Sequence, residues 1–226
     1  MFIDPHVHSS GISLCSRVTC EQIIDFKRSL GYDGVVLTNH CQPWYYEPEE
    51  HSSRMKSFVE EFKKGALYAR KLNFRFILGI EVTINVPVMS DWLLYGVTEE
   101  FLLSSPCLYM LTQKQLFELC EKNGIFLVQA HPIRHSPEPC SYLYTNGVEI
   151  NCTPGDFEKR QEVIDFARKH NLKITCGTDF HFFERDCKSG MIVPDDIFTA
   201  EDFAKYLFET KNTELVFDGE KHIFNY

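Results

Sequence analysis

The sequence is short of several things at once, and each shortage removes a class of protein. Glycine and proline number only 12 and 10 among 226 residues, too few for a linker-rich or low-complexity chain. No window approaches the roughly 18 uninterrupted apolar residues of a membrane helix. Positive charge is in deficit: 23 Lys and Arg face 32 Asp and Glu, a net charge of −9 with histidine neutral. A field of that sign repels phosphate backbones, so no duplex nucleic acid is expected as a partner. It also repels a phosphorylated small molecule unless bound cations reverse the sign locally. The nine cysteines are odd in number and lack C-x-x-C spacing. Most are therefore expected as reduced packing residues, without a disulfide framework or a structural zinc site. The start Met1-Phe2-Ile3-Asp4 lacks the basic, apolar and small-residue sections of a signal peptide, so the expected place is the cytoplasm, with no membrane contact. No glycine loop that would cradle phosphate and no serine nucleophile elbow is found.

What is present is a globular pattern, 44% apolar and 14% aromatic, read as one domain over 1–226. Apolar runs at 2–8, 34–40, 74–84, 92–97, 125–131, 147–151 and 172–181 are rich in Val, Ile, Leu and Phe and mostly lack polar alternation, which is how strands buried on both faces read. Amphipathic segments lie between them. Thr19 with Gln22, and Thr112 with Gln115, are capping-box starts. Ile23, Phe26 and Leu30 recur at helical spacing before Gly31, and Met55, Phe58, Val59 and Phe62 mark one face of a longer helix. Val163, Ile164 and Ala167, then Phe203, Tyr206 and Leu207 after Thr199, lie on two more. Strand–helix alternation predicts an α/β fold with a mostly parallel sheet, open or closed into a barrel. The long loops 41–50, 133–146 and 182–198 each follow a strand end and are expected on one face, where such folds keep their active sites.

Histidines and carboxylates collect at those strand ends. His6, His8, His40, His131 and His181, five of the nine histidines, end predicted strands; Glu81 ends another, and Asp179 stands two residues before His181. Alternate strand residues point the same way, which pairs His6 with His8 and Asp179 with His181. Imidazoles and carboxylates converging on one mouth are the donor set of divalent metal ions. His51, His135, His170 and His222 fall in helices, loops or the tail, and no metal role is expected of them.

The motifs Asp4-Pro5-His6-Val7-His8-Ser9, Leu37-Thr38-Asn39-His40, Gly79-Ile80-Glu81, Ala130-His131-Pro132 and Gly177-Thr178-Asp179-Phe180-His181, in this order, resemble the PHP (polymerase and histidinol phosphatase) superfamily. The resemblance runs from residue 2 to about 181. It implies a distorted seven-stranded (β/α)7 barrel with two or three divalent ions (Mn²⁺, Zn²⁺ or Fe²⁺) at its C-terminal mouth. His6, His8, Glu81 and Asp179 would hold the first ion. Glu81 would bridge to a second, also held by His131, while His40 and His181 would bind a third. Asp4 is expected to orient an imidazole by hydrogen bonding.

Two departures from the family pattern stand out. Where many relatives place a histidine for the second ion, this chain has Ser90-Asp91-Trp92, making Asp91 the candidate. In the loop after the first strand, where relatives supply a third-site ligand, Cys15 is the available donor. The resemblance implies a metal-dependent phosphoesterase acting on a small phosphomonoester or short nucleotide. Two ions sharing a water bring its pKa to near 7, which supplies a bridging hydroxide as nucleophile. Glu81 and Asp179 would hold that assembly, and His40 and His181 would stabilise the leaving oxygen, through the third ion or as imidazolium. Arg134, Arg17 and Arg185 on the mouth loops are the candidate phosphate grips. Trp44, Tyr45 and Tyr46 after His40, and Tyr142 and Tyr144, offer either stacking surfaces or packing. Two other readings compete: an amidohydrolase-type metal hydrolase, whose barrel also begins with His-x-His, and a non-catalytic metal-binding module that works with a partner chain. Oligomeric state is not set by these residues.

Overall fold

A computed structural model describes residues 1–85, 88–184 and 187–226. Strands β1 (Phe2–Val7), β2 (Gly34–Leu37), β4 (Arg75–Ile84), β5 (Ser90–Tyr95), β6 (Phe126–Gln129), β7 (Gly147–Asn151) and β8 (Lys173–Gly177) follow one another around a nearly closed barrel. The two-residue β3 (His40–Cys41) resumes where β2 stops and pairs with β4, setting His40 opposite Glu81. These are the seven apolar runs of the sequence, found within one or two residues at most ends. Their side chains are buried almost throughout, as strands covered on both faces require.

The ring closes between β1 and the chain just after β8. Val7 bridges Phe180 in parallel sense. The His8 N–H donates to the Phe180 carbonyl at 3.0 Å, and the Phe180 N–H donates to the His6 carbonyl at 3.3 Å. Outside the ring, β9 (Gly190–Ile192) pairs antiparallel with β1, and the hairpin of β10 (Asn212–Phe217) and β11 (Glu220–Asn225) extends it. Among the described residues the sheet thus has 11 strands, more than the expected seven, because the short β3 and this antiparallel flap of three are added to the barrel.

One stave runs backwards. β5 is antiparallel to both β4 and β6, while the other ring pairs are parallel. Only five residues separate Ile84 from Ser90, and a parallel crossover needs about a dozen. The consequence is positional: the first residues of β5, not its last, lie at the mouth.

Helices cover the outside: α1 (Cys20–Ser29), α2 (His51–Lys71), α3 (Glu99–Ser104), α4 (Gln113–Lys122), α5 (Pro154–Phe157), α6 (Arg160–His170) and α7 (Ala200–Glu209). The expected capping boxes form at Thr19 and Thr112, and a third joins Thr199 to Asp202. Ile23 and Ile24 of α1, Met55 and Phe58 of α2, and Phe203 and Leu207 of α7 are buried against the sheet, at roughly 1.5–3 kcal/mol each. Seven cysteines are free, whereas Cys152 and Cys187 are joined in a disulfide, a pairing not expected from the sequence. Among the described residues no helix is long and apolar enough to cross a membrane.

Candidate metal centre

At the mouth, β1 and the residue just after it deliver His6 and His8, β3 His40, and β4 Glu81. The loop after β6 carries His131, and the segment after β8 carries Asp179 and His181. Asp179 and His131 adopt left-handed backbone, with φ of 55° and 28°. Such conformations cost non-glycine residues about 1–3 kcal/mol and collect at functional sites.

Four donors surround one point. His6 Nε2 lies 3.5 Å from Glu81 Oε2 and 3.4 Å from Asp179 Oδ1. His8 Nε2 lies 3.4 and 3.2 Å from the same two oxygens. Separations of this size are what four ligands leave between them when each sits roughly 2.0–2.1 Å from a tetrahedral ion. His6 Nε2, His8 Nε2 and Glu81 Oε2 are buried and have no hydrogen-bond partner, which is expensive unless a cation completes them. The donor set therefore fits a divalent metal ion.

Two further groups flank this one. His8, His40 and His181 form the first: His40 Nε2 faces His181 Nε2 at 3.4 Å, and His40 Nδ1 lies 2.8 Å from Glu81 Oε2. Cys15, exposed at the mouth, stands beside both histidines and accepts a hydrogen bond from the Tyr45 hydroxyl at 3.2 Å. Asp91, His131 and His135 form the second. Glu81 spans inner and outer positions, since its Oε1 meets His131 Nε2 at 3.1 Å while Oε2 faces His6, His8 and His40.

Charges crowd the site. Burial opposes protonation of His6, but Glu149, Glu81 and Asp179 outweigh it and hold its pKa well above the ordinary value. Burial also opposes protonation of His40, which Glu81 and Cys15 nevertheless raise to about 10. His8 goes the other way, lowered by burial and by its neighbours His40 and His181. Glu81 and Asp179 are held well below the usual carboxylate range; burial pushes them up, and His40 and His6 respectively head the cations that pull them down. Desolvation pushes the Cys15 thiol up, yet hydrogen bonds with His181 and His40 bring it to about 6. Protons are standing where cations would.

The supports behind the donors differ from expectation. Among the described residues Asp4 makes no hydrogen bond to an imidazole: its Oδ1 accepts from the backbone N–H of His6 and of Thr178, and Oδ2 pairs with the fully buried Lys27 Nζ at 2.8 Å. The residue that orients His6 is Glu149 on β7, which no motif had marked. Its Oε1 holds His6 Nδ1 at 2.8 Å, and Oε2 accepts from the His131 N–H and the Asn151 amide. Such a carboxylate–imidazole pair fixes the ring and its tautomer for a metal. Gly177 leaves room for it, because a Cβ there would stand 2.6 Å from His6 Cβ and 2.7 Å from Glu149 Oε1.

A cavity of about 360 Å³ opens above the donors, lined on one side by His40, His181 and Cys15 and on the other by Asp91, His131 and His135. Arg134 is at this cavity: Nη1 donates to Asp179 Oδ2 at 2.8 Å, while Nε and Nη2 fork onto Asp156 Oδ2 at 2.9 and 2.6 Å. Arg17 is not at the cavity; its guanidinium lies over the Phe182 ring. Arg185 lies outside the described residues. Of the aromatics after His40, Trp44 is at the rim, Tyr45 holds Cys15, and Tyr46 is buried with its hydroxyl on His51 Nδ1 at 3.0 Å. Tyr142 stacks on His170, away from the mouth. His135, given no metal role above, sits at the cavity with Nε2 3.0 Å from Asp91 Oδ2; its spacing of four from His131 was the available signal.

Solved structures share this fold. An inferred metal-dependent phosphoesterase from Bifidobacterium adolescentis superposes with a TM-score of 0.56 at 14% identity, covering 80% of this chain and 87% of that one. A two-domain protein from Bacteroides vulgatus containing a predicted PHP-like metal-dependent phosphoesterase gives 0.56 at 20% identity, with 97% of this chain covered and 59% of the other. An amidohydrolase from Chromobacterium violaceum with bound sulfate gives 0.59 at 13% identity, covering 95% and 97%. No family model matches the sequence, and neither does any curated protein. The chain thus shares the barrel fold of these structures.

Proposed function

We propose that this protein is a metal-dependent phosphoesterase that hydrolyses a small phosphomonoester or short nucleotide in the cytoplasm. The observation that carries the reading is the set of four buried donors at 3.2–3.5 Å, His6, His8, Glu81 and Asp179, beneath a cavity that also holds Arg134. Those four would hold one ion, Asp91 with His131, whose other ring nitrogen rests on Glu81, a second, and His40 with His181 a third. Bound divalent ions supply Lewis-acid charge for the phosphate oxygens and lower the pKa of water. The chain's own part is placement. Glu149 fixes the His6 ring, Asp4 fixes the backbone on both sides of the seam, and Asp156 aims the Arg134 fork at the cavity. Arg134 Nη1, which donates to Asp179 Oδ2, would be free to take a phosphate oxygen where Asp179 serves as a metal ligand. Without that third ion, His40 or His181 as imidazolium would instead hold or donate a proton at the leaving oxygen. A small rather than polymeric substrate suits the cavity volume and the negative net charge. The likeness to an amidohydrolase keeps amide hydrolysis as the second reading.

The test is hydrolysis of p-nitrophenyl phosphate, alongside simple amides, by protein reconstituted with Mn²⁺ or Zn²⁺. Phosphatase activity that falls to background with chelator and in Asp179→Ala is the expected result. Arg134→Ala should raise KM about tenfold or more, the scale of a lost charge-assisted contact. Amide turnover without phosphatase activity would overturn the assignment.

A further inference from the structure

We infer that His135 is a ligand of the second metal ion, completing with Asp91 and His131 an outer site at the mouth; this rests on the metal-dependent reading above. Because β5 is reversed, its N-terminal end places Asp91 opposite Thr83 on β4. The buried Thr83 hydroxyl donates to Asp91 Oδ1 at 2.5 Å. One carboxylate oxygen is thereby tied down, and Oδ2 is left facing the cavity.

The other two donors come from the loop after β6. The His131 N–H is anchored on Glu149, and the Arg134 N–H donates back to the His131 carbonyl at 3.0 Å. This tight turn, with Pro132 inside it, brings His135 round over Asp91. Its Nε2 reaches Asp91 Oδ2 at 3.0 Å, and its ring stands at 82° to that of His131 with centroids 6.0 Å apart. The rings meet edge to face, so they converge on the carboxylate without stacking on each other. One donor atom from each of the three residues lies within 4.8 Å of the others.

A simple ion pair between His135 and Asp91 leaves something unexplained. His131 Nδ1 is buried without a hydrogen-bond partner, and at 3.8 Å Asp91 Oδ2 is too far to be one. A cation among the three residues satisfies the carboxylate and the imidazoles together. The set of one carboxylate and two imidazoles suits Zn²⁺, Co²⁺, Mn²⁺ or Fe²⁺. The motif histidine that this chain lacks on the strand after Glu81 is thus supplied from a different loop. The other three histidines outside the motifs are used in packing: His51 on Tyr46, His170 on Tyr142 and His222 on Phe217.

The test titrates metal-free protein with Zn²⁺ by calorimetry, counts bound metal by mass spectrometry, and records the visible spectrum of the Co²⁺ form. Wild type, His135→Ala, His135→Asp and, as a control, His222→Ala are compared. The expected result is that His135→Ala loses one class of site, its affinity falling at least about tenfold, while the remaining ion binds as before. His135→Asp, which restores a donor, should recover much of the loss, and the Co²⁺ spectrum should change only in the His135 variants. Equal stoichiometry and affinity in wild type and His135→Ala would overturn the assignment while leaving the inner site standing. Wild type that takes up no ion at all would overturn both this inference and the functional reading. Because the His135 side chain is 29% exposed on a loop, the melting temperature of the metal-free variants should match wild type; a His135→Ala protein that melts early is judged on the His135→Asp arm alone.

Discussion

Two residues behind the donors, both invisible in the motifs, carry sharp expectations. Glu149 is fully buried and grips His6 and the His131 backbone at once. Glu149→Gln keeps the shape and removes the charge, so divalent-ion affinity should fall about 10–100-fold, measured by competition with a chromophoric chelator. Lys27 is buried against Asp4, with Tyr32 and Phe180 rings beneath its ammonium. Lys27→Met leaves the Asp4 carboxylate uncompensated and should cost about 3–5 kcal/mol in urea unfolding. The double variant Lys27→Met, Asp4→Asn should recover part of that loss; if it recovers none, the pair is not the cause. Neither role was legible, for a physical reason. Glu149 sits mid-strand in Val148-Glu149-Ile150 and Lys27 mid-helix, where local spacing says nothing about what lies across the barrel.

At the scale of elements, the seven staves and three of the helix starts were legible, because apolar runs and Thr–Gln caps are local signals. His6, His8, His131 and Asp179 were legible as well, since each stands at or near the end of a run; Glu81 was picked out too, although β4 continues past it to Ile84. The reversed β5 was not read, although the five-residue link before it leaves no room for a crossover. That omission had a consequence: Asp91 looked like a strand beginning, and only reversal brings a beginning to the mouth. Of β9–β11 only one closing strand was expected, from the resemblance: β9 is three residues long, and β10 and β11 are half-exposed, giving a weaker pattern than the buried ring. The β4–β5 pairing makes its own prediction. Thr83→Val removes the hydroxyl that fixes Asp91 and should weaken the outer ion several-fold in calorimetry, while stability changes by only about 1 kcal/mol.

For the molecule as a whole, the crowded mouth links stability to pH. In metal-free protein His6, His40, His131 and His181 have folded pKa values raised above the ordinary 6.5. Their contribution is complete below about 6.5 and is lost as pH rises through the folded values, about 10 for His40. Glu81 and Asp179, depressed, contribute with the opposite sign: fully above about 4, and progressively less as pH falls beneath it. His8, lowered, opposes folding further as it is forced to charge in acid. Metal-free protein should therefore melt at a lower temperature at pH 9 than at pH 6.5, at about 2–4 °C per kcal/mol lost. Saturating Zn²⁺ or Mn²⁺ should abolish the alkaline part of that fall in a scanning calorimeter. A melting temperature that is flat across this range without metal would contradict the charge balance described here.

The closure of the barrel has a further consequence. The ring is joined between β1 and the residues after β8 by the Val7–Phe180 bridge and the amides of His8 and Phe180. Those same few residues carry His6, His8 and Asp179, which face one another across the join. An ion bound there acts as a rivet through the seam, so opening the ring and losing the metal become one event. Amide hydrogens of His8 and Phe180 should then exchange with solvent far more slowly in the loaded protein, whereas amides in the middle of β6 and β7 should hardly change. Two backbone protons would report occupancy of the centre without any substrate being added.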